Sequence, residues 1–231
     1  MVAVAQLASA QPVALAGERL LPVLGALEPL FPAAGLRRGS VVSVSGSTSL
    51  AVSVLAGASA SGSWCGAVGL PALGLAAAAE RGVALARFPL VPAPARGAGA
   101  GGWAWVVAAL VDACDVVLAR PVGRVSPADA RRLTARVRER GAVLVVSGAW
   151  PEAAEVQLAV ASTGWEGLGQ GYGRLQGRRV EVVAGGRGAA ARERRLSLWL
   201  PHPEGGVRIA PCTNGVEVVD ERRAHARRVV S

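Results

Sequence analysis

The chain contains no lysine, and all 25 of its basic residues are arginine. This absence is informative because residues 41–55 have the pattern of a strand, a glycine turn and a helix, on which phosphate-binding loops place a lysine. Lysine serves there as a compact charge that reaches the terminal phosphates, and the planar fork of arginine rarely replaces it. The sequence therefore predicts a nucleotide-binding scaffold that lacks its central cation.

Cysteine and histidine are also scarce. The three cysteines, Cys65, Cys114 and Cys212, are far apart and form no Cys-x-x-Cys pair, and the two histidines are His202 and His225. This pattern excludes a recognisable zinc site or disulfide framework and favours a reducing cytoplasm. We expect Cys65 and Cys114 to pack as small hydrophobic residues. A serine hydrolase is excluded because no Gly-x-Ser-x-Gly is present.

Charge is low and hydrophobic content is high. Charged residues make up 18% and hydrophobic residues 52%, which is enough to bury a large core. Glycines, prolines, Asp112 and Asp115 interrupt the apolar runs, so no membrane span is predicted. The sequence at residues 8–10 resembles a signal-peptidase site, but no basic residue precedes it and secretion is not expected.

The net charge of +9 is concentrated in two basic blocks. Residues 120–140 hold seven arginines against Asp129 and Glu139, and residues 174–195 hold seven against Glu181 and Glu193. Such blocks attract a phosphate backbone or an acidic partner. They are equally typical of solvated faces, and the sequence leaves both interpretations open.

The order of elements predicts an α/β fold, with a mostly parallel central sheet flanked by helices and an antiparallel C-terminal extension. Strands are predicted at residues 41–45, 64–68, 83–91, 116–119, 142–146, 156–161, 173–183 and 195–200, with a turn at 184–186. Helices are predicted at residues 48–58, 72–81, 103–113 and from Pro127 to Gly141. The last has the clearest start, with Ser126 as the cap and proline at the first helical position.

We divide the chain into a leucine-rich N-terminal lead-in (1–36), a core (37–210) and a basic C-terminal tail (211–231). The lead-in is expected to form one or two short helices, and residues 35–40 a turn into the first strand. Three tryptophans are predicted to pack in the core: Trp103, Trp105 and Trp199. Trp150 and Trp165 lie in loop-like settings and are the better surface candidates.

The chain resembles the RecA/RadA core, in which a Gly-Leu-Pro-x-Gly turn leads into the strand of the phosphate loop. The matching segments are Gly-Leu-Arg-Arg-Gly at 35–39, Val-Val-Ser-Val-Ser-Gly at 41–46 and Thr-Ser-Leu-Ala-Val-Ser-Val-Leu-Ala at 48–56. It resembles more closely the actinobacterial ImuA-prime family of RecA-related mutasome proteins. Further segments carry that likeness, at residues 64–71, 119–125 and 161–169. The resemblance implies a RecA-like P-loop core with degenerate Walker motifs.

The phosphate loop of this chain departs from the family pattern in either alignment. Without gaps, the second glycine falls on Ala51, the lysine on Val52 and the Ser/Thr on Ser53. With a gap, the loop has lost about five residues and Ser47 or Thr48 caps the helix directly, which we favour. The vestigial loop comprises Gly46, Ser47, Thr48, Ser49 and Ser53.

The other positions that the resemblance assigns to ATP chemistry are also altered. The water-activating acid falls near Pro71, and the metal-binding aspartate falls on Arg120, a cation that would repel magnesium. The glutamine sensor falls on Ser147 or Gly148. With the lysine gone as well, we expect no ATP hydrolysis, no bound cofactor or metal and no catalytic residues.

The resemblance implies a non-catalytic adaptor in DNA-damage-induced mutagenesis and translesion synthesis within the SOS response. Its partner would be ImuB, an inactive Y-family polymerase, and through it an error-prone C-family polymerase and the sliding clamp. The expected contact surfaces are the lead-in, for either self-association or the heterologous partner, and the region from Gly185 to Ser231. The segments that meet DNA in RecA proteins match residues 120–127 and 148–155. Candidate contacts to a partner or to DNA are Arg120, Arg124, Arg222, Arg223, Arg227 and Arg228.

Two alternatives remain open at this stage. One is a DNA-binding protein whose arginine blocks contact the phosphate backbone directly. The other is an ATPase with an unconventional phosphate loop, centred on Ser53.

Overall fold

A computed structural model describes residues 20–92, 102–168 and 173–211. The strands are β1 Leu20–Pro22, β2 Gly35–Arg37, β3 Val41–Ser45, β4 Cys65–Val68, β5 Leu90–Val91, β6 Val116–Ala119, β7 Val143–Ser147, β8 Val156–Leu168, β9 Gly173–Gly186, β10 Arg194–Trp199 and β11 Arg208–Ile209. The α-helices are α1 Thr48–Ala60, α2 Leu75–Glu80, α3 Gly102–Ala113 and α4 Pro127–Arg140. Three short 3₁₀ turns lie at Gly25–Leu30, Leu85–Arg87 and Gly188–Ala190.

The main sheet has nine strands in the order β11-β10-β9-β8-β3-β7-β6-β4-β5. The strands from β8 to β5 run parallel to one another, and β9, β10 and β11 extend the sheet by antiparallel pairing. The predicted α/β fold with a mostly parallel central sheet and an antiparallel C-terminal extension is confirmed.

The interior strands are short and apolar because helices cover both of their faces. All four residues of β6 are fully buried, and four of the five residues of β7 are buried. Helix α1 packs against one face of the sheet, where it meets side chains of β3, β8 and β9. Helices α3 and α4 pack against the other face, through residues that include Leu110 of α3 and Val137 of α4.

Helix α1 is buried around most of its circumference, since every residue from Leu50 to Ser59 is inaccessible to solvent. The sheet covers one side, and residues 20–31 cover another. At Gly57 an added Cβ would lie 2.3 Å from the carbonyl carbon of Val23, so only glycine permits this approach. The described part of the lead-in therefore packs on α1 of its own chain.

The predicted capping of α4 is confirmed. The Ser126 hydroxyl accepts a hydrogen bond from the Asp129 amide at 3.1 Å, and Pro127 stands in the first turn. Gly141 ends the helix in the left-handed conformation, with φ of 65°. Asp112 of α3 then ties the two helices together by accepting hydrogen bonds from Arg136 and Arg140. The Arg136 guanidinium holds the pKa of Asp112 below its usual value.

Several predicted elements differ from the structure. The strand at residues 83–91 is only Leu90–Val91, because the Val83 amide still bonds to Ala78 of α2 and a 3₁₀ turn follows. Residues 35–37 are not a turn but strand β2, which pairs with β1. Residues 184–186 likewise continue β9, and the turn comes after them. In the described part of the lead-in, from residue 20 onward, a 3₁₀ turn between two strands stands where helix was expected, and residues 1–19 lie outside the described ranges.

Two further expectations concerned the length of α2 and the absence of a membrane span. Helix α2 spans Leu75–Glu80 and is shorter than predicted. None of the helices in the described ranges has the length and apolarity needed to cross a membrane.

A buried ion pair joins the elements at the amino edge of the sheet. The Arg38 guanidinium lies 2.9 Å from an Asp115 carboxylate oxygen, and both side chains are largely buried. The second oxygen of Asp115 accepts a hydrogen bond from the Trp64 amide at 3.1 Å. Arg38 also reaches the Gly141 carbonyl at 3.4 Å. This network links the starts of β3, β4 and β6 to the end of α4.

We predict that Asp115→Ala lowers the free energy of unfolding by about 3–5 kcal/mol, because it leaves the Arg38 charge buried without a partner. Urea denaturation measures the change. Glu155→Ala is the control, since its partner Arg37 is 69% exposed and the pair should contribute at most about 1 kcal/mol. Equal losses in the two variants would contradict a structural role for the buried pair.

Candidate functional site

The carboxyl ends of the parallel strands form the edge at which open α/β sheets usually bind ligands. Four connections meet there. They are the turn from β3 to α1, the segment after β4, and the loops that follow β6 and β7. Gly46, Ser47, Arg120 and Ser147, four of the positions considered for nucleotide chemistry, lie at this edge.

Only Gly46 and Ser47 separate β3 from α1. Gly46 has φ of 82°, and a Cβ there would lie 3.1 Å from the Val160 side chain. The Ser47 hydroxyl accepts a hydrogen bond from the Leu50 amide at 3.2 Å and so caps the helix. This geometry agrees with the shortened-loop alignment.

The remaining residues of the vestigial loop lie inside α1. Thr48 and Ser49 form its first turn. Ser53 is fully buried, and its hydroxyl donates to the Ser49 carbonyl at 2.8 Å. That hydroxyl is directed to the helix backbone. The arrangement provides no extended loop whose amides could surround a phosphate.

Arg178 of β9 reaches the start of α1. Its Nη2 donates to the Ser47 hydroxyl at 3.0 Å, and its guanidinium carbon lies 5.9 Å from the centre of the Trp165 ring. Burial and, secondarily, the charge of Arg81 lower the pKa of Arg178. Sequence reasoning missed this contact. Arg178 is one of seven arginines in its block, and only the register of β8 on β9 distinguishes it.

The segments in which a base and a metal ligand were sought, after β4 and β6, contact each other through their backbones. Gly69 lies so close to the chain after β6 that an added Cβ would be 2.4 Å from the Arg120 carbonyl oxygen. The same carbonyl accepts a hydrogen bond from the Trp103 indole at 3.0 Å. Pro71 is exposed two residues beyond Gly69. Among the described residues, no cluster of histidine, cysteine, aspartate or glutamate has the arrangement of a metal site.

An open cleft of about 600 Å³ lies between the loops that follow β6 and β7. The β6 loop contributes Arg120 and Arg124, and the β7 loop contributes Ser147, Gly148 and Trp150. Both arginines are exposed. The structure thus brings together the two arginines that the sequence analysis singled out and places an indole beside them.

Residues 29–152 match the MT3502 N-terminal domain family, which is more than half of the chain. The chain is also 35% identical over 172 residues to the uncharacterized protein Rv3395c of Mycobacterium tuberculosis, covering 71% of this chain and 81% of that protein. The chain belongs to the MT3502 N-terminal domain family.

The part of the chain that matches the MT3502 N-terminal domain contains the parallel strands β3 to β7, helices α1 to α4 and both loops of the cleft. Strands β8 to β11 follow the matched residues. The Ser47 cap therefore lies within the matched region, while Arg178, which contacts it, lies beyond that region.

The two described cysteines of this MT3502-family chain are buried, as predicted. Burial raises the pKa of Cys65 and of Cys114 to about 12, which disfavours the nucleophilic thiolate. His202 is occupied locally, since its Nδ1 accepts a hydrogen bond from the Glu204 amide at 3.1 Å. Cys212 lies outside the described residues.

The predictions for the tryptophans had mixed outcomes. The assignment of Trp105 to the core is wrong, because its position on α3 faces away from the sheet and leaves it 73% exposed. Trp103 and Trp199 are half-buried. Trp165 is 49% exposed, as expected of a surface residue, whereas Trp150 packs in part against the core cluster around α3 and α4.

Four of the candidate contacts lie in the tail, outside the described residues: Arg222, Arg223, Arg227 and Arg228. His225 lies outside them as well.

We predict that Ser47→Ala lowers the free energy of unfolding by about 2 kcal/mol, because it removes both the helix cap and the hydrogen-bond partner of Arg178. Ser47→Gly should lower it by less, since glycine is tolerated at a cap position, although the contact with Arg178 is lost there too. Ser49→Ala is the matched control, because its side chain lies in the same turn but does not cap the helix. Urea denaturation compares the three variants. An unchanged stability of Ser47→Ala would mean that the hydroxyl does not hold this helix start.

Proposed function

We propose that this protein is a non-catalytic RecA-fold adaptor in DNA-damage-induced mutagenesis, similar to ImuA-prime. The observation that carries the proposal is the two-residue turn between β3 and α1, where Ser47 caps the helix and accepts a hydrogen bond from Arg178. A fold that retains its core and lacks the loop for its chemistry is best explained by the surfaces it presents.

Three further positions support the absence of catalysis. Pro71 has no group that could activate water, and Arg120 would repel a magnesium ion. The hydroxyl of Ser53 is directed to the Ser49 carbonyl. Each change removes a different part of the apparatus that ATP hydrolysis requires, so no single compensating residue could restore it.

The RecA-like interpretation is supported by the architecture around the turn. Strand β3 lies inside the sheet, with helices on both faces, and its carboxyl end leads directly into α1. The resemblance then suggests the partners, which are an ImuB-type inactive Y-family polymerase and, through it, an error-prone C-family polymerase and the sliding clamp. We propose that these contacts occur in the cytoplasm.

The proposed partner surface includes the region from Gly185 to Ser231. Its described part carries β10 and β11, where Ile209 is 53% exposed at the edge of the sheet. Residues 211–231 add four arginines. Along the chain this segment follows Ile209, and both apolar residues and arginine are enriched in protein interfaces.

Co-expression with an ImuB-type polymerase tests the adaptor proposal. We expect the full chain to co-purify with the polymerase and a chain truncated after Ala210 to lose at least most of that association. A full-length variant with all four tail arginines changed to glutamine separates charge from length. Circular dichroism of each variant checks that the fold is intact.

Two results would contradict this account. Full co-purification of the truncated chain would reject the tail as a contact, and failure of the full chain to associate would reject the adaptor. Isothermal titration with ATP and magnesium should give no binding heat. A micromolar signal abolished by Ser53→Ala would instead support the unconventional ATPase.

A second candidate function is direct DNA binding, favoured by the cleft that holds Arg120 and Arg124. Neither side chain forms an ion pair with a carboxylate among the described residues. Two such guanidinium groups beside a partly exposed indole suit a phosphate backbone with adjacent bases.

We expect the double variant Arg120→Gln/Arg124→Gln to bind single-stranded DNA more weakly and to reduce the slope of log K against log salt by about 1.4, for two lost phosphate contacts. Fluorescence anisotropy over a range of salt concentrations gives the slope. Arg131→Gln/Arg138→Gln on the outer face of α4 is the control with the same charge change. Absence of binding by the wild type at low salt would exclude this function.

A further inference from the structure

Strands β8 and β9 extend beyond the rest of the sheet. Strand β3 pairs with β8 only from Val156 to Ala159, and β10 pairs with β9 only from Arg179 to Ala184. Because β8 runs parallel to β3, its second half passes the carboxyl edge of the sheet together with its partner. We call residues 162–168 and 173–178 the distal ribbon.

The two faces of the distal ribbon differ in chemistry. Trp165 stands opposite Arg178 in the register, so the two side chains share a face. Gln176 joins them, since a Cβ at Gly167, two residues after Trp165, would lie 2.7 Å from its side chain. Arg174 follows at the same end of the ribbon, beyond an irregularity in the pairing of β8 with β9. Trp165, Arg174 and Gln176 are exposed.

The opposite face of the distal ribbon is largely occupied. A Cβ at Gly177 would lie 2.8 Å from the Pro203 ring, so the segment that contains Pro203 packs directly against the ribbon. Glu166 lies on this side and pairs with Arg179 at 3.3 Å. The face that bears Trp165 therefore holds the Arg178 guanidinium and, among its described residues, no carboxylate, and Arg174 is exposed at the same end of the ribbon.

The indole of Trp165 is held in place from one side. Arg178 lies against its ring at 5.9 Å and is itself anchored to the Ser47 hydroxyl at 3.0 Å. Trp165 nevertheless remains 49% exposed. A ring fixed on one side and open on the other can stack a base without first losing side-chain freedom.

We infer that this face of the distal ribbon contacts single-stranded nucleic acid, with Trp165 stacking an unpaired base and Arg174 neutralising a phosphate. Arg178 supports the indole from below. The inference rests on the second candidate function, to which it adds a contact separate from the cleft. A basic surface interleaved with an aromatic platform is the chemistry by which proteins bind single strands without sequence preference. An unpaired strand is favoured because a base within a duplex cannot stack on the ring.

Fluorescence anisotropy of the full chain with a fluorescein-labelled oligothymidylate tests the inference. We expect Trp165→Ala to weaken binding by about tenfold. Trp165→Phe should retain most of the affinity, because it keeps an aromatic ring. We expect Arg174→Gln to reduce the slope of log K against log salt by about 0.7, for one lost phosphate contact.

The matched control is Trp105→Ala, which removes a tryptophan that is 73% exposed on α3, away from the distal ribbon. Its affinity should equal that of the wild type. Circular dichroism and urea denaturation of each variant detect any loss of folding.

The outcomes separate this inference from the function on which it rests. Wild-type affinity in Trp165→Ala, together with weakened binding in Arg120→Gln/Arg124→Gln, would overturn the ribbon contact and leave DNA binding in place. Absence of oligonucleotide binding by any form at low salt would reject both. If Trp165→Ala binds the oligonucleotide normally but no longer co-purifies with the polymerase, the face contacts protein and the inference is wrong.

Discussion

The enclosure of α1 is the constraint on which the rest of the structure depends. This helix is packed by the sheet on one side and by residues 20–31 on another, with Gly57 admitting the backbone at Val23. A helix so enclosed has little freedom to shift along its axis, since apolar interiors are close-packed. Its start is therefore fixed immediately after β3, where Ser47 caps it.

That fixed start explains the character of the carboxyl edge. An extended phosphate loop needs several residues between strand and helix, and here there are two. Several of the polar groups that remain bond to one another: Ser47 bonds with Leu50 and Arg178, and Ser53 with Ser49. Exposed arginines of the edge line the cleft and stand on the distal ribbon, where they can meet a binding partner.

Local patterns predicted the elements whose residues interact mainly with their sequence neighbours. The cap of α4 is one example, since Ser126, Pro127 and Gly141 act within a single helix. The short apolar strands β3 and β6 matched their predicted bounds for a similar reason, as interior strands need continuous apolar runs. Predictions failed where a distant partner decided the outcome. Residues 35–37 form a strand because they pair with β1. Trp105 is exposed to solvent because other residues of α3 lie on the side of the helix that contacts the sheet.

The sequence by itself determined the α/β class, the buried cysteines and the absence of a lysine where a phosphate loop would need one, because composition and short-range periodicity carry those properties. Only the tertiary structure decided what stands in the place of that loop. Arg178 lies 131 residues from Ser47 along the chain, and the contact depends on the strand register and on the bulge of β8 between Val160 and Ser162. No local pattern encodes such a register, since it follows from the packing of one complete sheet.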